Sequence, residues 1–337
     1  MLNFDEARFL RIQSGAVGLA AEIDATLTRF LGEGATNLFF LGTGGAAILM
    51  QPAVQLLQRR STLPTYLELS AELVIGGRAD LGAHSIVVIP SLSGTTKESV
   101  AALEFCRRQG AKVITLVGHA ETPLGRQADA SFVNFAEDDT SCESFYLQAL
   151  AIALSVMRQR NELHSASALA AELVSLPSLL LEAKRAFETK APEIAGKIAA
   201  DPYHIITAAG AMWPQAFYYG MCILEEMQWI RTRPVHASDF FHGTLELVEK
   251  GVSVMLFKGE DAYRPLAERI EAFTPAYTDK LLVLDTASVA LPGLSQELRA
   301  LISPAVMATL LERVSAHLEV IREHPLTTRR YYKRVAY

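Results

Sequence analysis

At 337 residues, half of them apolar and a fifth charged, the chain is long enough for two ordinary domains or two halves of one α/β unit. The net charge is −6 and no Lys/Arg block exceeds short pairs such as Arg59-Arg60 and Arg329-Arg330, which argues against nucleic acid as the main partner. Cys106, Cys142 and Cys222 stand far apart without a C-x-x-C, the acidic start Met1–Glu6 lacks a signal peptide's basic and apolar regions, and no apolar run approaches a membrane span: a soluble, reduced, cytoplasmic chain is expected, without a disulfide frame or cysteine zinc site.

A helical lead-in is predicted over about residues 5–31. The run Asn37–Leu41 then reads as a buried strand, followed by Gly42-Thr43-Gly44-Gly45 and a helix to about Arg60. These glycines begin like a dinucleotide fingerprint, but Ala47 and Ile48 follow and no G-x-G-x-x-G is completed. A tight turn that brings backbone close to a ligand or to the neighbouring helix accounts for them equally well. Further short strands are predicted at Thr65–Leu69, 85–89, Lys112–Val117 and Ser131–Phe135. Apolar strands alternating with helices indicate an α/β, doubly wound, mostly parallel sheet covered on both faces. In such sheets ligands bind beyond the carboxyl ends of the strands, where the loops 42–45 and 91–96 would lie.

The second of these loops carries the most chemistry. Ser91-Leu92-Ser93-Gly94-Thr95-Thr96 joins the strand at 85–89 to an amphipathic run with Val100, Leu103 and Phe105 that ends at Gly110. Four hydroxyls, a glycine for the turn and the first N–H groups of a helix form a cup suited to a phosphate ester. The plainer alternative is that Ser93 or Thr95 caps the helix, with Glu98 completing a capping box. The number of hydroxyls exceeds what a cap uses.

Residues 140–200 read as helices punctuated by Pro177 and Pro192. The second half then repeats the scheme. Tyr203–Gly210 is a strand ending in glycine, a helix is predicted from about Trp213 to Trp229, and Val252–Phe257 and Leu281–Leu284 are further strands before a helix over Pro304–Glu323. The strand at 252–257 runs into Lys258-Gly259-Glu260-Asp261, without serines and with acidic residues that would repel phosphate. One phosphate site per chain, in the first half, is the expectation.

Two acid–base candidates stand out in the second half. Glu225 and Glu226 end a helix rich in Phe217, Tyr218, Tyr219, Met221, Ile223 and Leu224, where desolvation raises a carboxyl toward useful general-base values. On an α-helix they point about 100° apart and cannot share a face. His242, in Asp239-Phe240-Phe241-His242-Gly243, is expected at a loop–helix junction that suits a catalytic group. Each has a plain alternative: solvent-facing carboxylates at a helix end, and a histidine bonded to backbone. His204 and His236 read as structural, and scattered His and carboxylates offer no metal spacing, so no metal is expected. The tail His324–Tyr337 is basic and aromatic. It is either a frayed end or a segment that folds over a site and supplies cations to an anionic ligand.

Taken together, Ser91–Thr96, Glu226-Met227-Gln228-Trp229-Ile230, Asp239–Gly243 and His324-Pro325-Leu326-Thr327-Thr328-Arg329-Arg330-Tyr331-Tyr332 resemble the sugar isomerase (SIS) domain family, and more narrowly its fructosamine-6-phosphate deglycases. The resemblance implies two tandem SIS domains at 15–160 and 191–325, a helical linker at 161–190 and a tail at 326–337 folding near the active site. It implies that Ser91, Ser93 and Thr96 hold a sugar phosphate, with Gly44 and Gly45 in the substrate-binding loop. Glu226 would be the general base and His242 the acid–base group for ring opening and proton delivery. The partners implied are a small phosphosugar and a second copy of the chain, in a homodimer with its site at the interface and no membrane or nucleic acid. Three positions depart from or fall outside this pattern. Ala46 stands where a serine usually touches the sugar, Thr244 replaces a proline after His242-Gly243, and Lys333 could align with a tail lysine of the isomerase branch. A phosphosugar aldose–ketose isomerase or a glucosamine-6-phosphate isomerase or deaminase would use the same cup and base. A non-catalytic phosphosugar sensor would keep the cup alone.

Overall fold

The computed structural model describes residues 1–332 and 334–336; Lys333 and Tyr337 lie outside the described residues. Two compact units divide the chain: Glu6–Ser178 with Gly293–Leu298, and Met1–Asp5, Leu179–Pro292 and Arg299–Tyr337. Each is an α/β layer built on its own all-parallel sheet.

In the first unit the strands are β1 (Asn37–Gly42), β2 (Thr65–Leu69), β3 (Ser85–Ser91), β4 (Lys112–Val117) and β5 (Ala130–Val133), in the order β2-β1-β3-β4-β5. β1 and β3 are buried along their whole length, as near-continuous apolar runs must be when helices cover both faces. Phe39, Leu41, Val87, Ile89 and Val113 pack on one face against Ala102, Leu103 and Cys106 of the helix Lys97–Arg108. Burial pushes the Cys106 thiol up to about 12, so it behaves as a small apolar group. The helix Ser141–Gln159, buried from Ser141 through Met157, packs on the helices Gly45–Arg60 and Ala20–Gly32.

The carboxyl edge of this sheet opens where the chain reverses its strand order. β1 and β3 pair only from Asn37↔Ser85 to Phe40↔Val88, whereas β1 continues beside β2 to Gly42 and β3 beside β4 to Ser91. Pro90, which has no N–H to donate, stands where pairing with β1 has ceased. The two strands therefore part at the topological switch point, and the glycine loops that follow them face the gap.

The second unit holds β6 (Tyr203–Ala208), β7 (Arg231–His236), β8 (Ser253–Lys258) and β9 (Leu281–Asp285), in the order β7-β6-β8-β9. This is the winding of the first sheet without its last strand, so the repeat seen in sequence is a repeat of topology. Strand β7, Arg-Thr-Arg-Pro-Val-His, is not among the strands expected from sequence. It is an edge strand with Arg231 and Arg233 exposed, and edges favour charge and proline over apolar alternation. The helix expected over Pro304–Glu323 begins earlier and runs Gln296–Ile321 with Pro304 inside it. The first residues belong to this unit: Leu2 donates its N–H to Glu188 at 2.8 Å, and the fully buried Arg313 donates to the Leu2 carbonyl at 2.9 Å while pairing with Glu188 and Glu312.

One expectation needs correction. The helical run Ala166–Phe187 is long and apolar enough by composition to match a membrane span. Its α-helical course is interrupted by a 3₁₀ turn at Leu173–Ser175, Leu169, Leu173, Leu176 and Leu180 are buried, and the buried Lys184 is ion-paired with Glu312. Those are the features of a core helix.

Near the end of the Ser141–Gln159 helix, Glu162 accepts the N–H and hydroxyl of Thr62 and pairs with Arg160. Burial alone would raise its carboxyl, but hydrogen bonds from Ser61, Thr62 and Arg160 outweigh it and hold the carboxyl down to about 2. A depressed folded-state pKa contributes stability above the unfolded carboxyl value, and that stability fades as pH falls toward 2. Glu162→Gln is therefore expected to lower Tm most near neutral pH, with the gap to wild type closing between about pH 4.5 and 2 in calorimetric scans.

Candidate active site

The loop after β3 brings its hydroxyls together. Ser91 Oγ lies 3.3 Å from Thr96 Oγ1, and Ser93 Oγ lies 3.5 Å from the same atom. Thr95 donates both its N–H (3.4 Å) and its hydroxyl (3.2 Å) to Ser93 Oγ, which aims the Ser93 hydroxyl proton elsewhere. Ser91 is buried and turns the loop by accepting the Gly94 N–H on both its carbonyl (3.0 Å) and its hydroxyl (3.2 Å). The helix cap is Thr96, not Ser93 or Thr95, and no side chain caps it. Glu98 makes no capping box. The helix Lys97–Arg108 thus starts with N–H groups that no side chain satisfies, beside hydroxyls free to rotate: an anion-binding arrangement.

A second loop, which sequence reasoning missed, clamps this one. Gly118 at the end of β4 donates its N–H to the Leu92 carbonyl at 3.0 Å, and Leu124 donates to the Gly94 carbonyl at 3.3 Å. Thr122 caps the short helix Pro123–Gln127 and presses on Gly94, where an added Cβ would lie 2.1 Å from its Oγ1. Gly94 also has φ +63°, so glycine is required there twice over. The Thr-Pro pair opening a helix was the available signal.

Across the gap, the loop after β1 is exposed at Thr43 and Gly44. Gly42 lets β1 run directly into the helix Gly45–Arg60, since an added Cβ would meet Ala47 at 2.9 Å. Gly44, at φ +56°, precedes Gly45 at the helix start, again without a side-chain cap. No fingerprint for a dinucleotide is completed there.

The second unit's switch point is different. β6 and β8 pair from His204↔Ser253 to Ala208↔Phe257, at the very end of β6, without parting. Asp261 then fills the place of a ligand: Oδ2 accepts the Ala211 N–H at 2.8 Å and Oδ1 the Tyr263 N–H at 2.9 Å. Glu260 is held by Arg299 at 2.8 Å. An internal carboxylate occupies this helix start.

Glu226 stands at the end of a π-helix. The helix beginning at Trp213 is α-helical only through Tyr218, and Tyr219–Glu225 is π-helical, with Glu226 N–H reaching Met221 O and Gln228 N–H reaching Ile223 O. The α-helical 100° spacing therefore does not apply to Glu225 and Glu226. Gly220 allows the wide turn to press on β7, where a Cβ would meet Pro234 at 2.9 Å and Thr232 at 3.0 Å. Glu225 accepts the Thr232 hydroxyl, and Glu226 pairs with Arg329 of the tail at 2.9 Å. The Cys222 thiol just before them is pushed up to about 12, chiefly by burial and further by the two carboxylates. Of the cations that sequence places in the tail, the structure sets Arg329 against the Glu226 carboxylate.

His242 is exposed, its backbone N–H bonded to Asp239 O at 2.9 Å and its ring without a hydrogen bond among the described residues. It follows the short helix Ala237–Phe240 and precedes a 3₁₀ turn at Thr244–Leu247. Edge-to-face contacts of Phe240 and Phe241 with Phe273, with Arg269 over Phe241, fix the segment that carries it. His204 is fully buried with both ring nitrogens engaged, by Ser253 and the Ile198 carbonyl, and burial lowers its pKa. His236 accepts the Ser238 N–H; burial lowers it too. Among the described residues no group of three or more His, Cys, Asp or Glu is placed to hold a metal ion.

Glu226 and His242 lie on opposite faces of the second sheet. Tyr219, Leu224 and Ile230, around Glu226, pack on Ile206, Ala208, Met255 and Phe257. Ala237, Phe240 and Val248, around His242, pack on the alternate residues Ile205, Val254 and Leu256.

Residues 33–158 match the SIS domain family, a span that covers β1 through the buried helix Ser141–Gln159. Over 94% of its length the chain is 29% identical to the fructosamine deglycase FrlB of Bacillus subtilis, 97% of which is covered. It is 27% identical over 88% of its length to the fructoselysine 6-phosphate deglycase of Escherichia coli K12, covering 85% of that protein. A Bacillus subtilis crystal structure provisionally described as a phosphosugar isomerase superposes with a TM-score of 0.89 at 28% identity, covering 96% of this chain and 99% of that one. The C-terminal domain of glucosamine-fructose-6-phosphate aminotransferase from Francisella tularensis shares the fold, with a TM-score of 0.81 at 16% identity and 95% of each chain covered.

Gly94→Ala forces both a Thr122 clash and a left-handed backbone on a residue with a Cβ, a strain of about 1–3 kcal/mol concentrated at the cup. Titration calorimetry with glucose 6-phosphate is expected to show affinity at least about tenfold weaker. Unaltered affinity would place the anion away from this loop.

Proposed function

We propose that this SIS-domain chain is a deglycase that cleaves a 6-phosphorylated fructosyl-amino acid to glucose 6-phosphate and the free amino acid. The observation that carries the reading is the parted switch point of the first unit, lined by Ser91, Ser93 and Thr96 and an uncapped helix start. Likeness along nearly the whole chain to proteins named for fructosamine and fructoselysine-6-phosphate deglycation supports it.

In this reading the first unit holds the phosphate and supplies orientation through contacts remote from the reacting carbons, with Gly44 and Gly45 in the loop across the gap. The substrate carries its amine on C1 beside a C2 ketone. Glu226 removes a C1 proton to give an enaminol. Reprotonation at C2 moves the double bond to a C1 imine, and water hydrolyses that imine to aldose and amine. His242, exposed and without a competing hydrogen bond among the described residues, opens the ring and delivers protons. Every step is proton transfer or hydration, so no cofactor enters. A site that uses both Glu226 and His242 draws them from two copies of the chain, since the sheet separates the pair within one copy. We therefore read the protein as a homodimer of tandem SIS domains, about 15–160 and 191–325 in each chain. Three buried, free cysteines suit the reducing cytoplasm.

The first test is glucose 6-phosphate release, by coupled dehydrogenase assay, from a panel of fructosyl-amino acid 6-phosphates with fructose 6-phosphate as control. Release from one or more conjugates is expected; conversion of fructose 6-phosphate alone would make the chain an isomerase, and tight binding without turnover a sensor. Glu226→Gln is expected to lower kcat about 10²–10⁴-fold while leaving phosphosugar binding in place. Full activity in that variant would remove Glu226 as the base. Ser93→Ala is expected to raise KM with kcat little changed, because a remote phosphate contact acts through binding.

A further inference from the structure

We infer that Arg329, carried by the C-terminal tail, is the positioning residue that keeps Glu226 ionised and aimed for proton abstraction; the inference rests on the assignment of Glu226 as the base. Arg329 Nε donates to Glu226 Oε1 at 2.9 Å, and the two side chains are 13% and 33% exposed, so water screens the pair only in part. The guanidinium is itself anchored, its Nη1 donating to the carbonyls of Leu326 at 2.6 Å and Thr328 at 3.0 Å. A cation pinned from behind by two carbonyls defines one position for the carboxylate it faces. It is a fixed mount rather than a swinging arm.

The tail that carries Arg329 is fastened to the residues immediately after the carboxylate. Gln228, fully buried, donates its amide N–H to the His324 carbonyl at 2.7 Å and accepts from Arg322 at 3.2 Å on its own carbonyl. Trp229 has φ +56°, which turns its indole out to meet the His324 ring at 4.5 Å and the Arg330 guanidinium at 3.9 Å. Leu326 N–H bonds Glu319 at 3.1 Å. These contacts grip Gln228 and Trp229, just beyond the π-helical segment, so the base and its cation are registered on one support.

The charged neighbours set the sign of the effect. On its own element Glu226 sits beside Glu225, which disfavours its ionisation, and near the neutral Cys222 thiol. Glu319, Arg322 and His324 lie along the end of the Gln296–Ile321 helix and beyond, Arg330 lies over Trp229, and Arg231 opens β7. Arg329 bonds the carboxylate directly, and its loss removes a positive charge that favours the ionised form.

Arg329→Met is accordingly expected to move the acid limb of the kcat/KM–pH profile upward by about one pH unit, a tenfold loss of ionised base below the limb, with KM for the conjugate little changed. Arg329→Lys, which keeps the charge, is expected to return the limb toward wild type. An unmoved limb in Arg329→Met, or a lysine variant as shifted as the methionine one, would overturn the inference. A second readout does not depend on turnover. In protein labelled with ¹³C at the glutamate carboxyls, the resonance lost in Glu226→Gln should titrate at higher pH in Arg329→Met. An unchanged midpoint rejects the role of Arg329 even if every conjugate on the panel is turned over. A raised midpoint upholds the coupling even if the deglycase reading fails.

Discussion

Pro90 has no N–H to give, and the working edge of the first sheet is arranged around that gap. A parallel sheet covered on both faces must pair nearly all its backbone groups, so a central strand has few ways to leave its neighbour. β3 does so after Val88, stays with β4 to Ser91, and thereby parts from β1 just before the hydroxyl-bearing loop. Everything that makes the loop at 91–96 an anion cup follows from that departure. Ser91 turns the chain, Gly94 takes a left-handed conformation against Thr122, and the helix begins without a cap. The clamp from Gly118 and Leu124 keeps the loop from collapsing into the space it frames.

The second sheet shows what the same winding becomes when the departure is missing. β6 and β8 remain paired to the end of β6, and the Asp261 carboxylate accepts the N–H groups a ligand would use. An internal carboxylate at the start of a helix is stabilising and always present, whereas an external anion must be bound from solution. The repeated topology has therefore separated into a unit whose strands part at the switch point and a unit whose corresponding place is filled from within. The filled unit carries its titratable groups elsewhere, on the two faces of its sheet rather than at its carboxyl edge.

Much of this was legible in the sequence because the buried strands are short apolar runs and the cup announces itself by an excess of hydroxyls. What escaped has physical reasons. β7 is an edge strand, Arg-Thr-Arg-Pro-Val-His, and edge strands are selected against the alternation by which strands are recognised. The π-helix at Tyr219–Glu225 has no composition of its own; it follows from Gly220 pressing on Pro234 and Thr232, a tertiary contact between residues not adjacent in sequence. The Thr96 cap escaped because Ser93 and Thr95 have the right chemistry for capping but are occupied with each other. The run at 166–187 passed as unremarkable and then reached the length of a span, because hydropathy is blind to the buried Lys184–Glu312 pair.

The contacts of the tail tie the unusual features of the second unit to one another. A π-helix and a tryptophan at positive φ are both costly, and each persists only where surrounding contacts over-determine it. Here the surroundings are the tail: His324 and Arg330 take the indole that the turned backbone presents, and Gln228 is held by its amide and its carbonyl. A basic, aromatic terminus is thus what the strained helix end requires, since aromatic rings and guanidinium groups stack on an exposed indole at little cost in desolvation. Removing the tail would leave Trp229 without its partners and the helix free to relax toward α geometry, which would re-aim Glu225 and Glu226 together. The placement of the carboxylate is in this sense a property of His324, Arg329 and Arg330 as much as of the helix that bears it.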